Sequence, residues 1–237
     1  MKNNKKAVVT GATKGIGRAI AEAFAKEGFD IAICARTSED LAHLENDFKT
    51  QYPHIQVVTK VADMRKKKDV LAFADFVKEH FQAVDVLINN AGVFIPGAIA
   101  TESEGKLEMM IETNLYSAYY MTRALLPSIA QHQKAHIFNI CSVASLQAYP
   151  NGGSYSISKF ALLGFSKVLR EELKKLGIRV TAVMPGATWS DSWAGVELPE
   201  SRLMQASDVA NAIVGVYRLS DVTVVEELIL RPQLGDL

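Results

Sequence analysis

Tyr155 and Lys159 stand four residues apart in the run Ser154-Tyr155-Ser156-Ile157-Ser158-Lys159, and Ser142 lies thirteen residues before Tyr155 at the end of an apolar stretch. On a helix, a four-residue offset puts a phenol and an ammonium on one face. A fixed cation there stabilises a phenolate and makes the phenol a better acid. A tyrosine at its reference pKa of roughly 10 is poorly matched to chemistry near neutrality, so a general acid of this type needs such tuning. In outline the trio is suited to delivering a proton to a carbonyl oxygen.

The elements that must hold these residues are visible as alternation. Short apolar, β-branched runs at 7–10, 31–34, 56–61, 84–89, 136–141, 179–184 and 222–230 are separated by segments of helical period at 16–26, 38–51, 67–81, 104–131, 155–176 and 207–219. This is the pattern of one α/β domain, a parallel sheet of seven strands flanked by helices over residues 1–237. Gly28 and Gly177 suit helix C-termini, and Thr37 with Asp40 resembles a capping box. From 185 to about 206 no pattern holds, and a stretch that long in a compact domain is expected to be a substrate loop.

Composition narrows the partners. Lys and Arg number 26 and Asp and Glu 26, and this zero balance argues against a nucleic acid bound through its phosphates. The basic groups at Lys2, Lys5 and Lys6 and from Arg65 to Lys68 read as solvated faces. No run of some 18 apolar residues is present to span a membrane, and the apolar residues after the basic start stop at Thr10-Gly11, short of a signal peptide. Only Cys34 and Cys141 carry thiols, each in an apolar stretch, which suits a reducing, cytoplasmic setting.

Directly after the first apolar run comes Thr10-Gly11-Ala12-Thr13-Lys14-Gly15-Ile16-Gly17, where a helix begins. Glycines at a strand-to-helix turn let a pyrophosphate approach the free amides of the helix N-terminus. At the end of the second run, where an NAD-binding chain offers a carboxylate to the ribose hydroxyls, this one has Arg36, nineteen residues beyond Gly17. A guanidinium there pairs with a 2′-phosphate, and Lys14 supplies a second cation. NADP(H) is the expected cofactor, and no metal is expected.

Taken in order, the glycine turn at 11–17, Asn89-Asn90-Ala91-Gly92, Asn114, Ser142, Tyr155, Lys159 and Pro185-Gly186 resemble the motifs of the short-chain dehydrogenases/reductases, from about Lys5 to Leu230. That resemblance implies a doubly wound Rossmann-type sheet in a three-layer α/β/α fold, NAD(P)-dependent hydride transfer and a homodimer or homotetramer. It implies that Tyr155 protonates the carbonyl oxygen, that Lys159 lowers its pKa and binds the nicotinamide ribose, that Ser142 hydrogen-bonds the same oxygen, and that Asn114 holds a water in a proton relay. By the same resemblance Gly11, Thr13, Lys14, Gly15, Ile16 and Gly17 cradle the cofactor and Asp63 stands near the adenine amine. Asn90, Ala91 and Gly92 line the nicotinamide ribose, while Asn89 and Asn90 equally suit a role in stabilising the sheet. Pro185, Gly186 and the backbone of Thr188 then meet the carboxamide.

The substrate is a small-molecule carbonyl compound, and its identity divides. The stretch Val224 to Asp236, with no Gly-Gly pair, and the run Pro185 to Gly195 are similar to bacterial sepiapterin reductases and related short-chain carbonyl reductases, and Trp193 would stack on a flat bicyclic substrate. Trp189 and Trp193 equally suit anchoring the loop. The 3-oxoacyl-[acyl-carrier-protein] reductases are the alternative within the same chemistry, and a non-catalytic NADP(H)-binding regulator is the alternative of another class.

Overall fold

The computed structural model describes residues 4–131, 134–189 and 198–236. Its centre is a parallel sheet of seven strands: β1 (Lys6–Thr10), β2 (Asp30–Ala35), β3 (Val57–Val61), β4 (Val86–Asn89), β5 (His136–Ile140), β6 (Arg179–Pro185) and β7 (Glu227–Leu230). They lie in the order β3-β2-β1-β4-β5-β6-β7. Strands β2, β5 and β6 are buried along their whole length, so they read as unbroken apolar runs rather than as alternation.

Helices cover both faces. On one side α1 (Gly15–Lys26), α2 (Ser38–Gln51) and α7 (Ala206–Tyr217) pack Ile20, Phe24, Phe48 and Tyr217 against Ile31, Ile33 and Ile88. On the other, α3 (Lys67–His80), α5 (Ser117–Ile129) and α6 (Gly153–Leu173) bury Phe73, Val77, Leu125 and Leu169 against Val8, Leu87 and Ile137. A short α4 (Lys106–Ile111) precedes α5. The doubly wound three-layer arrangement is the one the alternation and the motifs predict.

Strand order reverses direction beside β1, which has β2 on one side and β4 on the other. Connections leaving β1 and β4 diverge there, and their C-terminal ends open a crevice. The glycine turn and the Asn90-Ala91-Gly92 segment both begin at that crevice.

Several local expectations are corrected. The last strand starts at Glu227 rather than at 222, because a turn closed by Thr223 N–H to the Ser220 carbonyl leaves Val222 95% exposed. Thr37 stands at the N-cap of α2 but its side chain makes no capping bond, so the capping box is absent. The span expected as one helix from 104 is divided: α4 passes into a π-helical turn, Glu112–Tyr116, and then into α5. The segment after β6 is not patternless, since Thr188 pairs with Met204 in a parallel bridge and Glu200–Arg202 forms a 3-10 turn.

Candidate active site

The glycine turn is shaped by contact as much as by flexibility. Gly11 takes a φ of +65°, and a β-carbon on it would lie 3.0 Å from the Ala91 Cα. On Gly17 a β-carbon would meet the Asn90 amide nitrogen and lie 2.6 Å from the Gly11 carbonyl oxygen. Asn90 holds this arrangement: its Nδ2 donates to the Thr10 and Gly11 carbonyls at 2.9 and 2.8 Å. The Thr10 hydroxyl in turn accepts from the Asn90 and Ala91 amides, both at 3.0 Å. The first turn of α1, with half-buried Gly15 and Ile16, begins at the crevice and has no side-chain cap at Lys14. Thr13 is half-buried in the turn and Lys14 exposed on it.

Arg36 follows β2 directly and is exposed at the same edge of the sheet. Asp63, beyond β3, already accepts from Arg65 Nε and Nη2 at 3.0 and 2.6 Å, and this pairing holds its carboxyl below the usual range. Asn89 is committed to the sheet interior, donating to Thr122 Oγ1 and Asn139 Oδ1 at 3.0 and 2.8 Å. Of the two asparagines, then, one braces β4 against β5 and the other braces the glycine turn.

Four expected residues converge across the crevice. Ser142, two residues beyond β5, caps the 3-10 turn Val143–Ser145 by accepting from the Ala144 amide at 3.1 Å. Its hydroxyl also acts on the Tyr155 phenol, pulling the phenol's pKa down against burial, the larger effect, which raises it. Lys159 is only 5% exposed and donates from Nζ to the Ile140 carbonyl at 2.8 Å. Burial brings its pKa down to about 8, opposed by the neighbouring Cys141 thiol. Asn114 sits in the π-helical turn, a device frequent at functional sites. Its Nδ2 donates to Ser158 Oγ and to the Val93 carbonyl at 2.8 and 3.0 Å, and its Oδ1 accepts from the Val93 amide at 2.8 Å. A β-carbon on Gly92 would lie 3.3 Å from Asn114 Oδ1 and 3.5 Å from Lys159 Nζ, so the absence of a side chain there lets amide and ammonium share one spot.

The expected tuning of Tyr155 by Lys159 is corrected here. The ammonium lies 5.8 Å from the phenol ring centre and is bonded to the Ile140 carbonyl, and the net shift of the phenol is upward because its desolvation outweighs the help of Ser142. A raised pKa keeps the proton on Tyr155 at neutrality.

A cavity of about 580 Å³ runs along these groups, lined also by Pro185, Gly186 and Thr188. Thr188 is buried and its hydroxyl donates to the Gly186 carbonyl at 2.9 Å. Trp193 falls outside the described residues, while Trp189 is exposed. Among the lining residues that sequence reasoning did not assign to the site are three with larger side chains. Phe94 sets its ring edge-on to Tyr155 with centroids 4.8 Å apart, Tyr149 enters from the β5–α6 connection, and Asp236 enters from the segment after β7. Both thiols are buried and pushed up, Cys34 to about 12 and Cys141 to about 11, so neither is nucleophilic near neutrality.

Comparison with known proteins agrees with this geometry. A sepiapterin reductase from Chlorobaculum tepidum is 33% identical, over 97% of this chain and 97% of its own. Among solved structures, an alcohol dehydrogenase from the archaeon Thermococcus sibiricus, complexed with 5-hydroxy-NADP, superposes with a TM-score of 0.90 at 29% identity, covering 98% of this chain and 97% of its own. L-sorbose reductase from Gluconobacter frateurii, with NADPH and L-sorbose, gives a TM-score of 0.89 at 27% identity over 96% and 95% of the two chains. The family model for short chain dehydrogenase matches residues 5–200. A doubly wound sheet with a glycine turn at its switch point, and a serine, a tyrosine and a lysine gathered at the crevice, thus come with a sequence match along most of the chain, which belongs to the short chain dehydrogenase family.

Proposed function

We propose that this chain is an NADPH-dependent oxidoreductase that reduces the carbonyl of a small molecule to an alcohol, as a sepiapterin reductase-like or general carbonyl reductase. The observation that carries the reading is the meeting of Ser142, Tyr155 and Lys159 on the wall of one cavity.

The cradle fits a dinucleotide: a β-carbon on Gly11 or Gly17 would strike Ala91 or Asn90, so only glycines let the turn fold this tightly, and the first turn of α1 carries no side-chain cap. Arg36 and Lys14, exposed near the glycine turn, suit the extra phosphate of NADP(H), and the solved relatives named above were determined with such cofactors. The nicotinamide cofactor, when bound, supplies the hydride. Gly92, Pro185, Gly186 and Thr188 line the cavity and would meet its reactive end, while Asp63, beyond β3, would stand toward its adenine.

Within the cavity Tyr155 Oη gives its proton to the carbonyl oxygen, and the Ser142 hydroxyl donates a hydrogen bond to that same oxygen. Lys159 stabilises the phenolate left behind. Asn114 fixes the floor by tying Val93 to Ser158, and one remaining lone pair on its Oδ1 suits a water of a relay that reprotonates Tyr155. Apolar side chains exposed at Tyr116, Tyr119, Ile157, Phe160 and Val168 support a homodimer or homotetramer, which light scattering tests. Among the described residues no helix is long and apolar enough to cross a membrane.

Tyr155→Phe keeps the ring against Phe94 and removes the proton. NADPH binding by fluorescence titration is expected to persist while turnover on a ketone panel falls at least 1,000-fold, on the order of the loss of a principal acid. Near-normal turnover of the variant would overturn the reading.

A further inference from the structure

The wall of the cavity away from the glycine turn is built from three chain segments that meet on residues 235–236. Asp236 Oδ2 accepts from the Tyr149 hydroxyl at 3.1 Å, and Tyr149 itself accepts from Gln147 Nε2 at 2.7 Å. Both Tyr149 and Asp236 line the cavity that holds Ser142 and Tyr155. From the returning limb of the long loop, Arg202 reaches across with Nη1 to the Gly235 carbonyl at 2.8 Å and Nη2 to the Asp236 carbonyl at 3.1 Å. Arg231, just after β7, forms an ion pair with the Asp236 carboxylate. Underneath, a β-carbon on Gly186 would lie 2.7 Å from Asp236 Oδ1 and 3.2 Å from the Pro232 ring, so the segment sits directly on the backbone after β6. The turn that delivers it is closed by Gly235 N–H to the Pro232 carbonyl at 2.8 Å, with Gly235 at a φ of +82°.

We propose that Asp236, clamped by Arg202, is a specificity-determining residue that closes the substrate side of the cavity through Tyr149 and restricts it to compact carbonyl compounds. The inference rests on the carbonyl-reductase reading and deepens it. A substrate that extends past the reacting carbonyl must displace either the Tyr149–Asp236 bond or the two-pronged hold of Arg202 on the backbone. Charge-assisted hydrogen bonds of this kind are among the stronger ones in proteins. Neither residue touches the groups that move the proton, and neither lies in the glycine cradle.

The test compares diacetyl with the bulky diketone benzil as substrates for the wild type, Asp236→Ala, Asp236→Asn, Arg202→Ala and Arg202→Lys. Asp236→Ala and Arg202→Ala are expected to shift the ratio of kcat/KM toward benzil about tenfold or more, chiefly through KM, with the KM for NADPH and the pH profile of kcat within twofold of wild type. Arg202→Lys keeps one donor and is expected to restore part of the selectivity, and Asp236→Asn, nearly isosteric, covers the case in which the alanine variants fold poorly. An unchanged ratio in the folded alanine variants overturns the inference and leaves the carbonyl-reductase reading standing. A parallel loss on both diketones together with weaker NADPH binding also overturns it, since that is the signature of general distortion. Absence of turnover by the wild type on every ketone defeats both readings.

Discussion

Lys159→Met removes the cation from the acid while keeping an unbranched side chain in a buried helix. The ammonium lies 5.8 Å from the Tyr155 ring centre. At an effective dielectric of about 20, a unit charge about 6 Å away is worth at most about 3 kcal/mol to the phenolate once it forms. Proton donation follows ionisation only in part, so kcat is expected to fall about 10- to 100-fold. The pH dependence gives an independent signature. Because burial holds Lys159 down to about 8, reduction by the wild type is expected to decline as pH rises through that value and the ammonium is discharged, and the variant to lack that limb. Stability moves the other way. The unfolded chain holds this proton up to 10.5 and the folded chain only to about 8, so the charge opposes folding fully below 8 and progressively less up to 10.5. Methionine is therefore expected to stabilise the fold at neutral pH by up to about 3 kcal/mol less the lost bond to the Ile140 carbonyl, and so to raise the thermal midpoint. Initial rates from NADPH absorbance across neutral to alkaline pH, with thermal denaturation of both proteins, measure all three. A kcat near wild type with an unchanged alkaline limb would refute the reasoning, and a lowered midpoint would assign any rate loss to unfolding.

Other perturbations probe the cradle, the cofactor choice and the core. Gly17→Ala forces a β-carbon into the Asn90 amide, so a destabilisation of about 1–3 kcal/mol in urea titrations and at least tenfold weaker NADPH binding are expected. Arg36→Leu removes the exposed guanidinium proposed to meet the extra phosphate, and kcat/KM for NADPH is expected to fall about 10- to 100-fold with that for NADH nearly unchanged, which paired cofactor kinetics would read directly. His136 is fully buried, stacked on Phe138 at 3.9 Å, and desolvation, helped by Arg179, holds its pKa well below 6.5. Below pH 6.5 the unfolded chain takes a proton that the folded one refuses, so stability falls with acidity by up to about 1.4 kcal/mol per pH unit from this group. His136→Leu is expected to flatten the acid side of the stability profile by about one proton, measured from urea midpoints against pH.

The glycine turn, the four-residue offset of Tyr155 and Lys159, and six of the seven strands were legible because each is a local pattern, set by the chain's own periodicity and by residues close in sequence. The strand at 222–230 was overextended because Val222, Val224 and Val225 have the composition of a strand, yet a turn at Ser220 delays the pairing with β6 until Glu227. The π-helical turn that carries Asn114 was hidden for a similar reason: its residues fit a helix, and what sets the bulge apart appears only where Asn114 grips Val93 and Ser158.

By itself the sequence determined the alternating architecture, the glycine turn and the choice of Tyr155, Ser142 and Lys159 as the proposed acid, hydroxyl and cation, all of which depend on side-chain type at short spacing. Tertiary structure alone decided how they act on one another. Lys159 turned to the Ile140 carbonyl, so burial rather than the cation dominates the phenol, and Phe94, Tyr149 and Asp236 came together from distant parts of the chain to finish the cavity. Desolvation and convergence arise from the order of the strands and the packing of the layers, and no window of neighbouring residues contains that information.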